Sequence, residues 1–399
     1  MKTNQSQKNN SGNWQLRRLD SMFTVRRGGS PRPIENYITN REDGLNWLKI
    51  GDIDVGAKYI TSTSSKILKE GLSRTTLVKK GDFILSNSMS FGRPYIMDID
   101  ACIHDGWLTF QDIKTHILDR DFLYYLLSQS KTQSIFVSIS AGSGVQNLKK
   151  ETVSEVELSI PSLVEQNRIV SILETWDKTI EKLSKKIEVK KQIKKGLMQD
   201  LLTGKKRLKG FNDKWELIKL KTICNIQKGK QLNKENMIEN GIYPVLNGGI
   251  EISGWTNEWN TKENTITISE GGNSCGYINF NKNKFWCGGH CYAVIPTKNI
   301  DNLFLYQVLK IRQDKIMMLR VGSGLPNIQK KSLDDLKVLF PQSKEEQEEI
   351  SRILNTADNE IQELEKKLQI IKDQKKYLLN NLITGTIRTP ETLSTKLIK

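Results

Sequence analysis

The stretch GSGVQNLKKETVSEVELSIPSLVEQNRIVSIL, from Gly142 to Leu173, returns as GSGLPNIQKKSLDDLKVLFPQSKEEQEEISRIL from Gly322 to Leu354. Each copy then runs through a long charged helical pattern that ends on LLTG (Leu201–Gly204) or LITG (Leu382–Gly385). With one residue inserted after the second proline, Gln166 falls on Gln347, Ile169 on Ile350, Leu183 on Leu364 and Gly204 on Gly385, each pair 181 apart. The segments ahead of the repeats also open alike, WQLRRLDSMFTVRRG at Trp14 and WELIKLKTICNIQKG at Trp215. Duplication on this scale implies two equivalent lobes on two equivalent spacers. Such a chain can grip a long partner at two places.

The spacers carry apolar residues three and four apart. In the first these are Ile169, Ile172, Trp176, Ile180, Leu183 and Ile187, then Leu197. In the second they are Ile350, Ile353, Ala357, Ile361, Leu364, Leu368, Ile371 and Leu378, interrupted by Lys375. A heptad stripe of this kind buries one narrow face against a partner helix. Pro161 and Pro341 mark the helix entries. Each helix covers about 35 residues, hence about 50 Å. The first is basic in its C-terminal half (Lys185, Lys186, Lys190, Lys191, Lys194, Lys195), whereas the second opens acidic (Glu345, Glu346, Glu348, Glu349) and ends basic (Lys372, Lys375, Lys376). An antiparallel pair sets basic beside acidic, and a parallel pair sets like against like. The expectation is an intramolecular antiparallel coiled coil with a pseudo-twofold relation between lobes. The alternative is two solvated faces with no pairing role.

Both lobes read as β-rich α+β units. Runs such as NWLKI, GDFILS and RPYIMDI in the first, and YPVLNGG, NTITIS, GYINF and CYAVIP in the second, have strand character broken by Gly, Asn and Ser. Each lobe adds a short helix pattern, at FLYYLLSQS and LFLYQVLKIR. The strand–helix alternation of a doubly wound sheet is missing. The boundaries fall at 1–12 for a disordered tail, 13–160 for lobe 1, 161–203 for spacer 1, 204–213 for a linker, 214–340 for lobe 2, 341–385 for spacer 2 and 386–399 for a C-terminal tail.

A length of 399 residues suits two ordinary domains plus connecting helices. The net charge of +16 points to a polyanionic partner, with nucleic acid the first candidate. No apolar run approaches the ~20 residues that cross a bilayer, so no membrane role is expected. The N-terminus lacks the apolar core of a signal peptide. Five irregularly placed cysteines suit a reduced, cytoplasmic setting.

Catalytic signatures are scarce. No two prolines are adjacent, no Gly-Lys precedes Ser or Thr, and no G-x-G-x-x-G occurs. His104-Asp105 could form an acid/base pair, but neighbours on a strand point to opposite faces. Cys275, Cys287, His290 and Cys291 lack the paired spacing of structural zinc and read as buried residues of a Gly-rich strand region, so no metal site is expected.

These features together resemble the DNA-sequence specificity subunit of type I restriction-modification systems. The resemblance rests on W-x-L-x-x-L opening each lobe, WLKIGDI at Trp47, KGDFILSNS at Lys80 with Gly92-Arg93 following, the GSG-x-x-N segments, and P-x-x-x-E-Q-x-x-I at Pro161. The second copy departs by one residue, P-x-x-x-x-E-Q-x-x-I from Pro341. It covers nearly the whole chain. The resemblance implies two target recognition domains that each read half of a split site on double-stranded DNA. It implies helices that dock two modification (methyltransferase) subunits and the restriction/translocase subunits. The chain itself would be non-catalytic and bind no cofactor, with S-adenosylmethionine, ATP and Mg in the partner subunits.

On that basis the lobe 1 candidates for DNA contact are Arg26, Arg27, Ser30 and Arg32 in RRGGSPRP, where glycines allow a close approach, then Asn87, Ser88 and Arg93. In lobe 2 they are Lys228, Lys230, Gln231, Asn247, Asn273 and Ser274. Asn147 and Asn327 recur in both copies and read as structural caps rather than base readers. Two rival readings are an enzyme, which would need a methyltransferase or nuclease motif, and a two-lobed coiled-coil scaffold binding protein partners.

Overall fold

A computed structural model describes residues 14–53, 56–87, 92–140, 147–322, 324 and 326–392. The chain forms two compact units, Met1–Lys182 with Leu368–Lys399, and Leu183–Lys367. The expected N-terminal tail, 1–12, lies outside the described residues, as does Gly142–Gly144 of the first GSG segment.

In unit 1 the strands are β1 (Gln15–Arg18), β2 (Thr24–Arg27), β3 (Ile38–Thr39), β4 (Leu45–Leu48), β5 (Tyr59–Ile60), β6 (Ser65–Ile67), β7 (Thr76–Val78), β8 (Phe83–Ser86), β9 (Pro94–Met97), β10 (Ala101–Ile103), β11 (Trp107–Gln111) and β12 (Glu157–Ile160). They form two five-stranded sheets, β3-β6-β4-β10-β7 and β2-β11-β8-β9-β5, and a two-stranded ribbon β1-β12. Most pairs are antiparallel, but β4 with β10 and β5 with β9 are parallel. Helices α1 (Arg120–Ser128), α2 (Ser130–Ser140) and α3 (Lys150–Ser154) follow, and then the long α4 (Leu163–Leu201). Asp119 caps α1 by accepting the Phe122 N–H at 2.8 Å. Phe83, Phe110, Phe122, Tyr125 and Phe136 fill the core with Ile169 and Leu173 of α4.

Unit 2 repeats the plan with fewer strands. It contains β13 (Glu216–Lys219), α5 (Leu220–Ile223), β14 (Cys224–Lys228), β15 (Tyr243–Leu246), β16 (Gly254–Thr256), β17 (Thr265–Ser269), β18 (Ile278–Asn281), β19 (Trp286–Cys287) and β20 (Cys291–Pro296). After these come α6 (Asn302–Ile311), α7 (Gln313–Met317), α8 (Lys330–Asp334), β21 (Lys337–Phe340) and the long α9 (Lys344–Ile383). The sheets are β14-β20-β17-β18, β16-β15-β19 and the ribbon β13-β21. Asp301 caps α6 through the Phe304 N–H at 2.7 Å, as Asp119 caps α1. Both lobes are thus mixed helix–sheet structures, and the long helices exceed the expected length slightly, at 39 and 40 residues.

The repeated sequence builds one junction twice. In unit 1 the buried Gln166 side chain donates to Pro161 O at 2.9 Å and accepts the Asp119 N–H at 2.7 Å. In unit 2 Gln347 donates to Pro341 O at 3.1 Å and accepts the Asp301 N–H at 2.8 Å. Beside them Glu165 accepts from the Trp14 indole at 3.1 Å and from Arg388 at 2.6 and 2.8 Å. Glu346 accepts from the Trp215 indole at 3.2 Å and from Arg207 at 2.7 and 2.8 Å. Gly204 and Gly385 take positive φ, 68° and 72°, in the turns that end the long helices, and a Cβ on either would sit 3.4 Å from the Trp215 or Trp14 ring. Residues 387–389, in the stretch expected as a C-terminal tail, therefore pack into unit 1: Ile387 lies on its core and Thr389 accepts from Arg168 at 3.0 Å.

The expected seam residues Ile169, Ile172, Trp176, Ile180, Leu183, Ile187, Ile350, Ile353, Ala357, Ile361, Leu364 and Leu368 are all buried or half-buried. Leu173 and Leu354, outside that set, are fully buried. Within unit 2, Lys190 pairs with Glu360 at 2.7 Å and Lys191 with Glu365 at 2.9 Å. The acidic partners lie beyond the Glu345–Glu349 run, because Glu346 is turned to Arg207 and Glu348 and Glu349 bind Lys344 and Arg352 on their own helix.

Asn147 and Asn327 do not occupy the N-caps of the helices that follow them. Helices α3 and α8 have Lys149 and Gln329 at their N-caps, two residues further on and without side-chain caps. The Asn327 backbone instead exchanges two hydrogen bonds with Val321.

All five cysteines are buried and unbridged. Burial pushes the Cys102 thiol up to about 11 and the Cys224 thiol to about 12, with the nearby Asp334 adding to the latter. The thiolate is the reactive species. A disulfide reagent at pH 8 is therefore expected to modify essentially no thiol of the folded chain and all five once guanidinium unfolds it. Prompt reaction of one equivalent before unfolding would contradict this packing.

Candidate nucleic-acid interface

In lobe 1 the turn between β10 and β11, His104-Asp105-Gly106, gathers four of the expected contact residues. Arg27 on β2 donates to Asp105 O at 3.0 Å, and Asn87, just after β8, donates to the same carbonyl at 3.0 Å. Ser30 donates to the Asp105 carboxylate at 3.1 Å, and Arg32 approaches it at 3.6 Å. The glycines do allow a close approach, but to the protein's own turn. A Cβ on Gly28 would meet His104 O at 2.1 Å, and the Gly28 N–H donates to Trp107 O at 2.9 Å.

Arg26, Arg27 and Arg32 remain exposed, whereas Asn87 is buried. Ser88 lies outside the described residues. Arg93 stands apart, in a hollow with Tyr95, Tyr124 and Gln133. His104 does not pair with Asp105 as acid and base. Its Nδ1 accepts the Gly106 N–H at 2.8 Å, and burial lowers its pKa against the opposing pull of Asp105. That arrangement holds a neutral ring that shapes the turn.

Lobe 2 places different side chains on the same frame. Register pairs Lys228 with Tyr292 across β14 and β20, as it pairs Arg27 with Leu108 across β2 and β11. Gly229 repeats the close approach, with a Cβ there 2.2 Å from Gly288 O. Glu270 follows β17 as Asn87 follows β8. The Glu270 N–H donates to His290 O at 2.9 Å, and the Asn87 N–H donates to Gly106 O at 3.0 Å. Both residues' carbonyls accept from the returning chain, at Ile328 and Leu148.

The side chains at those positions diverge. Glu270 Oε1 binds Lys228 at 2.7 Å and accepts the Tyr292 hydroxyl at 2.9 Å. Burial, and then the Glu270 acceptor, raise the Tyr292 pKa and keep that hydroxyl protonated. Glu270 Oε2 is buried with no hydrogen-bond partner among the described residues, and His290 Nδ1 lies 4.0 Å away.

Asn247, Gln231 and Ser274 adjoin this turn. Asn247 Oδ1 and Gln231 Oε1 lie against the Gly288 and Gly289 backbone, and Ser274 donates to Gly248 O at 2.8 Å. Lys230 and Asn273 are exposed. Among the described residues no group of three or more His, Cys, Asp or Glu could hold a metal ion, and Cys287 Sγ donates to Cys291 O. Each strand end thus presents exposed cations over an anchored acceptor. Cations of this kind suit phosphate, and side-chain amides and carboxylates suit base edges. Sequence reading missed the anchors, Asp105 and Glu270, because their partners are 78 and 42 residues away in the chain.

Residues 11–191 and 212–372 match the family described as type I restriction modification DNA specificity domain. A Mycoplasma pneumoniae protein provisionally described as a type I specificity subunit is 34% identical over 175 residues, 43% of this chain and 46% of that protein. The chain therefore matches less than half the length of that relative. The type I restriction enzyme MjaVIII specificity subunit of Methanocaldococcus jannaschii is 26% identical over 69% of this chain and 72% of its own. The crystal structure of a type I restriction-modification S subunit from M. genitalium superposes with a TM-score of 0.63 at 24% identity, covering 94% of this chain and 98% of that one. At that identity the likeness speaks for the fold. No described helix is long and apolar enough to cross a membrane.

Proposed function

Because the chain belongs to the family of type I restriction-modification DNA specificity subunits, we propose that its two units read the two unlike halves of one bipartite, asymmetric site on double-stranded DNA. The chain itself is non-catalytic in this reading. Two modification subunits dock on it and supply S-adenosylmethionine and methyl transfer, and restriction/translocase subunits supply ATP, Mg and cleavage. The assembly works in the cytoplasm, on DNA.

The observation that carries the reading is a contrast. The Gln166 and Gln347 junctions share their bonds to the proline carbonyl and to the Asp119 or Asp301 N–H, with Gln166 adding one to Ile117 O, whereas the equivalent strand ends carry Asn87 in one lobe and Glu270 in the other. Identical partners need identical mounts, and unlike half-sites need unlike readers. The long helices form an antiparallel coiled coil with a pseudo-twofold relation between the copies, and they space the half-sites. Support comes from the ion pairs between α4 and α9 within unit 2, Lys191 with Glu365 and Lys194 with Asp358, whose residue numbers run in opposite senses.

Binding tests the reading directly. Arg26, Arg27, Arg32, Arg93, Lys228 and Lys230 are exposed. If these neutralise phosphates, the slope of log affinity against log salt is about −5, and affinity falls about a thousandfold between 50 and 200 mM salt. A gel shift of the chain with its partner subunits on random duplex DNA measures this. No shift at low salt would sink the DNA reading and favour a protein-binding scaffold.

A further inference from the structure

The seam lysines of the long helices are not misfits. In unit 1, Lys375 of α9 contacts the carboxylate of Asp177 on α4, and the other carboxylate oxygen accepts the Tyr125 hydroxyl at 2.6 Å. In unit 2 the helices exchange roles. Lys194 of α4 contacts Asp358 on α9, and the other oxygen accepts the Gln307 amide at 3.3 Å. Asp177 and Asp358 are 181 apart, as are Lys194 and Lys375, so the duplication maps one triad onto the other. Each carboxylate ties together its own long helix, the opposing long helix, and α1 or α6 of a lobe. The four charged side chains are only 20% to 39% exposed.

We propose that Asp177–Lys375 and Asp358–Lys194 lock the register of the two long helices, and so fix the spacing of the half-sites. The inference rests on the antiparallel-coil reading above. In such a coil facing residues have numbers of constant total, and both pairs share one total. An apolar seam that repeats every seven residues is also satisfied after a slide of one heptad. Sliding one way sets Asp177 opposite Leu382 and Asp358 opposite Leu201, and sliding the other way sets them opposite Leu368 and Ile187. At the directly opposed position both carboxylates then meet hydrocarbon instead of a lysine. The lysines meet Ser184 and Glu365 in one case and Val170 and Ser351 in the other, so only Lys194 regains an acid, and in only one direction. A polar seam position that is satisfied in a single register excludes the others. The slide so excluded is about 10 Å, about three base pairs of duplex.

Cross-linking in the full chain tests the lock without DNA. Lys190 and Glu360, which pair at 2.7 Å in unit 2, are replaced by cysteine and joined with a short bismaleimide. The five native thiols are buried. Adding Asp177→Leu with Asp358→Leu is expected to cut the cross-link yield at least threefold. The fully exchanged variant, Asp177→Lys, Lys375→Asp, Asp358→Lys and Lys194→Asp, is expected to keep it. If the leucine variant does not fold, Asp177→Lys with Asp358→Lys takes its place, with the same expected loss and the same rescue. An unchanged yield without the aspartates, or loss that charge exchange does not rescue, overturns the lock. In the assembled complex, mapped methylation should then show a second spacer length. A lost cross-link with an unchanged spacer would refute the spacing role in the proposed function and leave the lock itself standing.

Discussion

Replacing Arg207 by alanine is expected to destabilise unit 2 by about 3 kcal/mol, the lower end for breaking a buried ion pair. The carboxylate it leaves is the exposed group's opposite: the Glu346 side chain is 2% exposed, against 25% for Arg207. Among the described residues, the Trp215 indole, at 3.2 Å, is the donor that would still serve the Glu346 carboxylate. Glu346→Gln removes the charge together with its attraction; its oxygen still accepts from Trp215 and one Arg207 N–H while its amide meets the other donor against donor, and it should cost about 2 kcal/mol. The equivalent Arg388→Ala should cost less than Arg207→Ala. Glu165 is also buried, at 6%, but Arg388 is 40% exposed, and water already screens the pair. Thermal unfolding followed by calorimetry measures the difference. For units of this size 3 kcal/mol is about 10 °C. Equal losses from the two arginines would show that burial does not set the strength of the clamp.

Exchange of residues 13–160 for the corresponding lobe of a relative is expected to replace one half of the methylated site and leave the other half unchanged. The strand-end residues travel with the lobe, whereas Gln166, Glu165 and the rest of α4 stay behind to receive it. Each mismatched base pair costs about 1–3 kcal/mol, so a half-site differing at three positions should be discriminated by at least about a hundredfold. Single-molecule mapping of methylated adenines reads both halves at once. A change in both halves, or in neither, would falsify the assignment of one half-site to each unit.

The duplicated junction was legible because Pro161, Gln166, Trp14 and their counterparts recur at fixed offsets, and recurrence marks what must fit identical surroundings. The two arginines that complete it also stand 181 apart, yet their neighbours differ, KKR against TIR. Nothing local distinguishes them from a solvated linker and a tail. Their partners, Glu346 and Glu165, lie 139 and 223 residues away. At the strand ends the exposed cations could be found from charge and turn chemistry, because exposure needs no partner. Asp105, Glu270 and Tyr292 could not, since an acceptor becomes an anchor only when the sheet register brings its donor across. The glycines of RRGG do permit a close backbone approach, but the backbone they accommodate is the β10–β11 turn. Asn327 shows the opposite case, a recurrence read as a side-chain cap where the backbone does the bridging.

The unequal make-up of the two units has a consequence for biosynthesis. Leu183–Lys367 is one continuous stretch, whereas the unit begun at the N-terminus takes Leu382, Ile383, Arg388 and Thr389 from the other end of the chain. A ribosome adding about 5–20 residues per second leaves roughly 10–40 s between emergence of the first lobe and arrival of the segment that seals it. The lobe made first therefore closes last. Until Thr389 has been made, the Trp14 and Glu165 junction lacks its arginine, so the first lobe is sealed only in a chain extended past that residue.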